Sequence, residues 1–133
     1  MICLDTNVVI AVLKQEPAHL LERFTRELAQ GTLALSSIVL FELRYGIANS
    51  TRRQENTDRL TIFMQAPIEL LPFEPEDAEE AGELRAELKR AGTPIGPYDV
   101  LIAAQARRRS AKLVNRGEFS RVPGLITEDW AAA

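Results

Sequence analysis

Asp5, Glu42 and Asp99 are acidic side chains set among apolar or turn-forming neighbours. Asp5 closes the run Ile2-Cys3-Leu4, Glu42 sits inside Val39-Leu40-Phe41-Glu42-Leu43, and Asp99 follows a stretch, 92–97, rich in glycine and proline. A carboxylate flanked by core-type residues is costly to desolvate unless something pairs with it. Three of them, remote along the chain, point to a shared cation and to metal-dependent chemistry. The chain has one cysteine and one histidine, so the donors are oxygens. That selects a hard ion, magnesium with manganese as a substitute, over zinc. Such an ion acidifies water and offsets charge on a scissile phosphate, which lets an acidic pocket meet a polyanion. Each carboxylate also has a structural alternative to be weighed. Asp5 stands where a helix N-cap belongs, and Asp99 could stabilise a helix start through the dipole. Glu42, in mid-helix, is the hardest to explain structurally. His19 reads as a surface residue and Cys3 as a small buried strand residue.

The elements that must position these groups follow from local signals. Ile2 to Leu4 reads as a strand, and Thr6-Asn7 caps a helix through Leu13. Pro17 opens a second helix that Gly31 stops near Gln30. Leu33 to Leu35 is the second strand, and Ser36-Ser37 caps the helix, about Ile38 to Ile47, that carries Glu42. A helix over 51–65 and a short strand within Ile68 to Phe73 come next. Pro75 starts a long helix to Ala91, closed by Gly92. The loop 92–97 delivers Asp99 into the first turn of a helix from Tyr98 to Arg109. Lys112 to Val114 and Leu125 to Thr127 complete the strands, with Phe119 and Trp130 expected in the core. Strands alternating with helices predict a three-layer α/β/α domain over 1–133 around a mostly parallel sheet of four to five strands. Ligands of such sheets bind beyond the carboxyl ends of the strands, and all three carboxylates fall near such ends.

An apolar content of 46% with 26% charged residues suits an ordinary folded core rather than a disordered chain. No apolar run reaches membrane-spanning length, and no basic segment precedes the short N-terminal run. The expectation is a cytoplasmic protein. The net charge is −3, yet residues 85–121 hold nine basic against three acidic side chains, a local +6 that leaves −9 elsewhere. Arg116, Arg121 and the cluster Arg107 to Arg109 are therefore candidates to guide a phosphate backbone.

The stretches Leu4-Asp5-Thr6-Asn7, Phe41-Glu42-Leu43-Arg44-Tyr45-Gly46, 92–99 and 118–125, continuing to Glu128-Asp129-Trp130, occur in an order that resembles PIN-domain ribonucleases, specifically VapC-type toxins of toxin–antitoxin systems. The resemblance implies a magnesium-dependent endoribonuclease, inhibited by a cognate VapB-type antitoxin, working as a homodimer within a larger toxin–antitoxin assembly. It implies a site carried by Asp5, Glu42 and Asp99, with Asp5 and Asp99 as direct metal ligands and the Thr6 hydroxyl helping to hold the site at the substrate side. The family places a polar loop after the fourth strand, shortened here to Asn115-Arg116-Gly117. Asn115 is the nearest fourth contributor and Glu118 the fallback.

Other readings are a catalytically weak or inactive module that binds antitoxin or nucleic acid, which the short loop favours, and a phosphatase or receiver-type protein. The latter lacks the second aspartate two residues after the first, where Asn7 stands. The helices at 17–30 and 51–65 carry a surplus of apolar residues (Leu20, Leu21, Phe24, Leu28, Leu60, Phe63, Met64), enough either for core or for a groove that takes an amphipathic antitoxin segment.

Overall fold

A computed structural model describes residues 1–117 and 119–131. Its strands are β1 (Ile2–Leu4), β2 (Leu33–Ser36), β3 (Glu69–Leu71), β4 (Lys112–Val114) and β5 (Ile126–Glu128). Its helices are α1 (Thr6–Lys14), α2 (Ala18–Gln30), α3 (Ser37–Ala48), α4 (Arg53–Phe63), α5 (Pro75–Arg90) and α6 (Pro97–Arg108). The sheet runs β3-β2-β1-β4-β5, and every neighbouring pair is parallel. The chain winds outward from β1 to β3, then returns to place β4 on the other flank of β1. That reversal opens a crevice between the carboxyl ends of β1 and β4. In register, Leu4 faces Val114, so Asp5 and Asn115 emerge side by side at this switch point.

Local chemistry explains most boundaries. Ser36 ends β2 and caps α3, its Oγ accepting from the Ile38 N–H at 3.0 Å. Gly31 adopts φ 70° to close α2, a backbone state that costs glycine little. Pro75 occupies the first turn of α5, where Asp77 accepts from the Glu74 N–H at 2.8 Å. The strands β3 and β5 are shorter or shifted relative to the sequence expectation, because Pro72 cannot extend the ladder and Leu125 N–H turns back to the Val122 carbonyl.

The core lies on both faces of β1, β2 and β4. Val8, Val9 and Leu20 cover one side, Leu84, Leu88 and Ala103 the other. Phe119 is fully buried and Trp130 nearly so, both as expected; a fully buried Phe contributes about 1.5–3 kcal/mol. The apolar surplus on α2 and α4 is largely core as well. Leu20, Phe24, Leu60 and Phe63 are buried, with Phe24 and Phe63 stacked at 5.9 Å, while Leu21, Phe24, Ile62 and Phe63 also border an open cleft of about 340 Å³ between α1, α2 and α4. Among the described residues no helix is long and apolar enough to cross a membrane.

Candidate active site

The site is best built outward from Asp5. Its N–H donates to the Val114 carbonyl at 2.9 Å, which fixes the residue at the mouth of the β1–β4 crevice. It holds the N-cap position of α1, yet its side chain makes no cap hydrogen bond. The capping explanation of Asp5 therefore fails, and a carboxylate only 3% exposed is held at the crevice for another purpose.

Thr6, the first residue of α1, donates its hydroxyl to Glu42 Oε1 at 2.7 Å. This bond draws the half-buried Glu42 of α3 to the residue next to Asp5. Thr6 thus positions Glu42, a more specific task than the substrate contact expected of it. Asp99 enters from the opposite direction. Because α6 leads down into the start of β4, its N-terminus lies at the carboxyl rim of the sheet, and Asp99 sits in that first turn. The rings of Phe41 and Tyr98, each one residue before a carboxylate, meet at 5.3 Å and join the α3 and α6 sides of the rim. Gly96 leaves room for this placement: a Cβ there would come within 3.0 Å of Asp99 Oδ2 and press the carboxylate slightly aside.

Asn115 is 2% exposed, and its amide serves its own turn. Oδ1 accepts from the Gly117 N–H at 2.6 Å and Nδ2 donates to the Leu113 carbonyl at 3.3 Å. It shapes the short loop beside Asp5. Glu118, the other candidate, lies outside the described residues. Arg116 is exposed and lines a cleft with Asn7 of α1. Arg121 is exposed in the turn before β5, and no hydrogen bond or ion pair among the described residues ties it to the crevice.

The Arg107 to Arg109 cluster is corrected by the structure. Arg107 lies 3.5 Å from Glu80 and 3.4 Å from Glu87, and Arg108 pairs with the fully buried Asp77 at 2.6 Å. Gln105 adds a 3.3 Å bond to the same Asp77 carboxylate. Burial pushes the Asp77 carboxyl pKa upward, but the Glu74 N–H and the Arg108 guanidinium outweigh it and hold it below the ordinary carboxylate value. Arg107 and Arg108 thus clamp α6 to the acidic face of α5 rather than facing a substrate.

Beside Glu42 opens an apolar cleft of about 260 Å³ that Ile10, Leu13, Leu43 and Ile47 help line. Among the described residues no three His, Cys, Asp or Glu side chains are gathered closely enough to hold an ion by themselves. An oxygen-only donor set of one or two carboxylates still fits magnesium, which keeps several waters and fills its shell with substrate phosphate.

A family model described as PIN domain matches residues 2–125. Over 130 residues, 96% of each chain, the sequence is 42% identical to the tRNA(fMet)-specific endonuclease VapC of Shigella flexneri. The chain belongs to the PIN-domain VapC family. Solved VapC-containing structures carry the same architecture. The crystal structure of VapBC2 from Rickettsia felis bound to a DNA fragment from their promoter superposes with a TM-score of 0.91 at 36% identity, covering 98% of this chain and 99% of that one. DNA-bound VapBC from Salmonella typhimurium gives 0.88 at 40% identity, covering 97% of each. The parallel order β3-β2-β1-β4-β5 is therefore the VapC arrangement, and the α/β/α expectation holds, with five strands and no antiparallel pair among the described residues.

Proposed function

We propose that this chain is the toxin of a toxin–antitoxin pair, an endoribonuclease that requires magnesium, or manganese in its place, and is held inactive by a cognate VapB-type antitoxin within a dimer-based assembly. The observation that carries the reading is the Thr6–Glu42 bond, which sets a second carboxylate beside the buried Asp5 at the switch point of a parallel sheet. The relatives named above, a tRNA-specific endonuclease and VapBC complexes, support the activity and the partner.

In this reading Asp5 and Asp99 would hold the ion. When bound, it supplies positive charge at the scissile phosphate and acidity to the attacking water. Glu42, with Oε1 held by Thr6, orients that water and accepts its proton at Oε2. Asn115 keeps the loop wall in place, while Arg116 and Arg121 would meet the backbone. In-line attack then leaves a 5′-phosphate and a 3′-hydroxyl.

The test is cleavage of total RNA and of purified tRNA(fMet) by the wild type and by Asp5→Asn, each with magnesium and with EDTA. Cleavage that needs magnesium, is restored by manganese and falls at least about 100-fold in the variant supports the proposal. The short loop Asn115-Arg116-Gly117 favours one competing reading, a binding module without activity. Equal activity of the two proteins, or none in either, would leave that reading standing.

A further inference from the structure

Between α1, the turn into α2 and the loop after β4 lies an open cleft of about 730 Å³. Its walls include Asn7, Ile10, Lys14, Glu16 and Arg116. Lys14 and Arg116 face it from two different elements, and both are exposed. Lys14 ends α1, about 12 Å along the helix axis from Thr6, and it also borders the apolar cleft beside Glu42. The cleft therefore begins at Asn7, two residues beyond Asp5, and runs along a helix that ends in a cation.

Arg23, Arg59, Arg108 and Lys112 are each held within 3.0 Å of a carboxylate. Lys14 is not one of them. Its place in the last turn of α1 complements the helix dipole, a task any cation there performs, and one that does not call for a cleft shared with an arginine of another element. Glu16, at the far end, places a negative charge where a strand would leave the cleft.

We infer that Lys14 and Arg116 grip the phosphate backbone of single-stranded RNA on one side of the cut, making this cleft the track that leads substrate to Asp5. The inference rests on the nuclease reading for its direction, and it adds Lys14 as a substrate-binding residue. An extended strand of a few nucleotides spans the distance from Asp5 to the end of α1. Two cations from different elements along one cleft would hold the phosphate backbone without reading sequence, as backbone contacts do.

The experiment measures binding of a fluorescein-labelled single-stranded oligoribonucleotide across a salt series, in parallel with cleavage kinetics. It compares wild type, Lys14→Gln, Lys14→Arg, Arg116→Gln and, as a charge-matched control, Arg85→Gln on the exposed face of α5. Each of Lys14→Gln and Arg116→Gln should weaken binding about three- to tenfold at low salt and shrink the slope of log K against log salt by about 0.7. KM should rise while kcat stays within about twofold, and Lys14→Arg should restore both. Slopes equal to that of Arg85→Gln would overturn the inference. So would a loss confined to binding of a protein partner, which would make the cleft a protein interface. A slope change without any RNA cleavage by the wild type would keep the track and remove the nuclease; cleavage with unchanged slopes would do the reverse.

Discussion

Thr6 Oγ1 and Glu42 Oε1 lie 2.7 Å apart although 36 positions separate their residues. A hydrogen bond to a charged acceptor contributes about 1.5–3 kcal/mol, and if it acts at the transition state its loss lowers the rate about 10- to 100-fold. Thr6→Val should reduce kcat by that factor, and Thr6→Ser should keep most of it. Single-turnover cleavage, with the melting temperature as a folding control, checks both. A Val variant with wild-type kcat would show that Glu42 needs no positioning.

Gly96 offers a cleaner handle on Asp99 than Asp99 itself. Its backbone, φ −57° and ψ 151°, is one that alanine adopts freely. The added methyl meets Asp99 Oδ2 at 3.0 Å and must displace it. Gly96→Ala should therefore lower kcat several-fold, since small misplacements at a reacting centre are costly, while the melting temperature moves by only a few degrees. Larger loss of stability than of activity would refute this.

Asp5→Asn separates chemistry from fold. Since its side chain does not cap α1, the helix keeps its start, and stability to urea should stay within about 1 kcal/mol of the wild type while cleavage is lost. Unfolding of the variant would mark Asp5 as a structural residue.

Asp77 predicts the acid limb of stability. Its folded pKa is lowered, so the unfolded chain binds the proton more tightly. The stabilisation is complete above the unfolded value of about 4 and is lost as pH falls through the folded one. Glu128, whose carboxyl is lowered chiefly by the Lys112 hydrogen bond, acts in the same sense. Urea denaturation between pH 7 and 2.5 should show the decline, and Asp77→Ala should cost about 3 kcal/mol at pH 7 and flatten it. An equally steep decline in the variant would assign the acid sensitivity elsewhere.

Much of the fold was legible because its punctuation is local. Pro17, Gly31, Ser36 and Pro75 each act on their own few residues, and they set the ends of α2, β2, α3 and α5 where the sequence placed them. The role of the arginines was not legible. Arg108 meets Asp77 from 31 positions away, and only the packing of α6 on α5 shows that this charge is neutralised inside the molecule. Thr6 and Glu42 were both singled out, but their mutual bond depends on how α3 crosses α1. Gly96 was read as a turn former. Its closeness to Asp99 is a matter of side-chain geometry that no spacing rule encodes. The aromatic pair Phe41 and Tyr98 escaped notice because each ring is exposed and neither follows a core period.

The last strand has a reach beyond its own length. Glu128 receives Arg23 at 2.8 Å, Lys112 at 2.6 Å and the Trp130 indole at 3.2 Å, and its carbonyl takes the Asn115 N–H at 3.0 Å. His19 of the same helix as Arg23 closes on the Ala131 carbonyl at 2.6 Å. Residues 128–131 are thus latched to α2 on one side and brace the wall of the crevice on the other. Removing residues 128–131 would orphan Lys112, leave Arg23 with Glu27 alone and loosen Asn115, so the damage would be felt first at the mouth of the crevice, some 120 positions upstream in sequence.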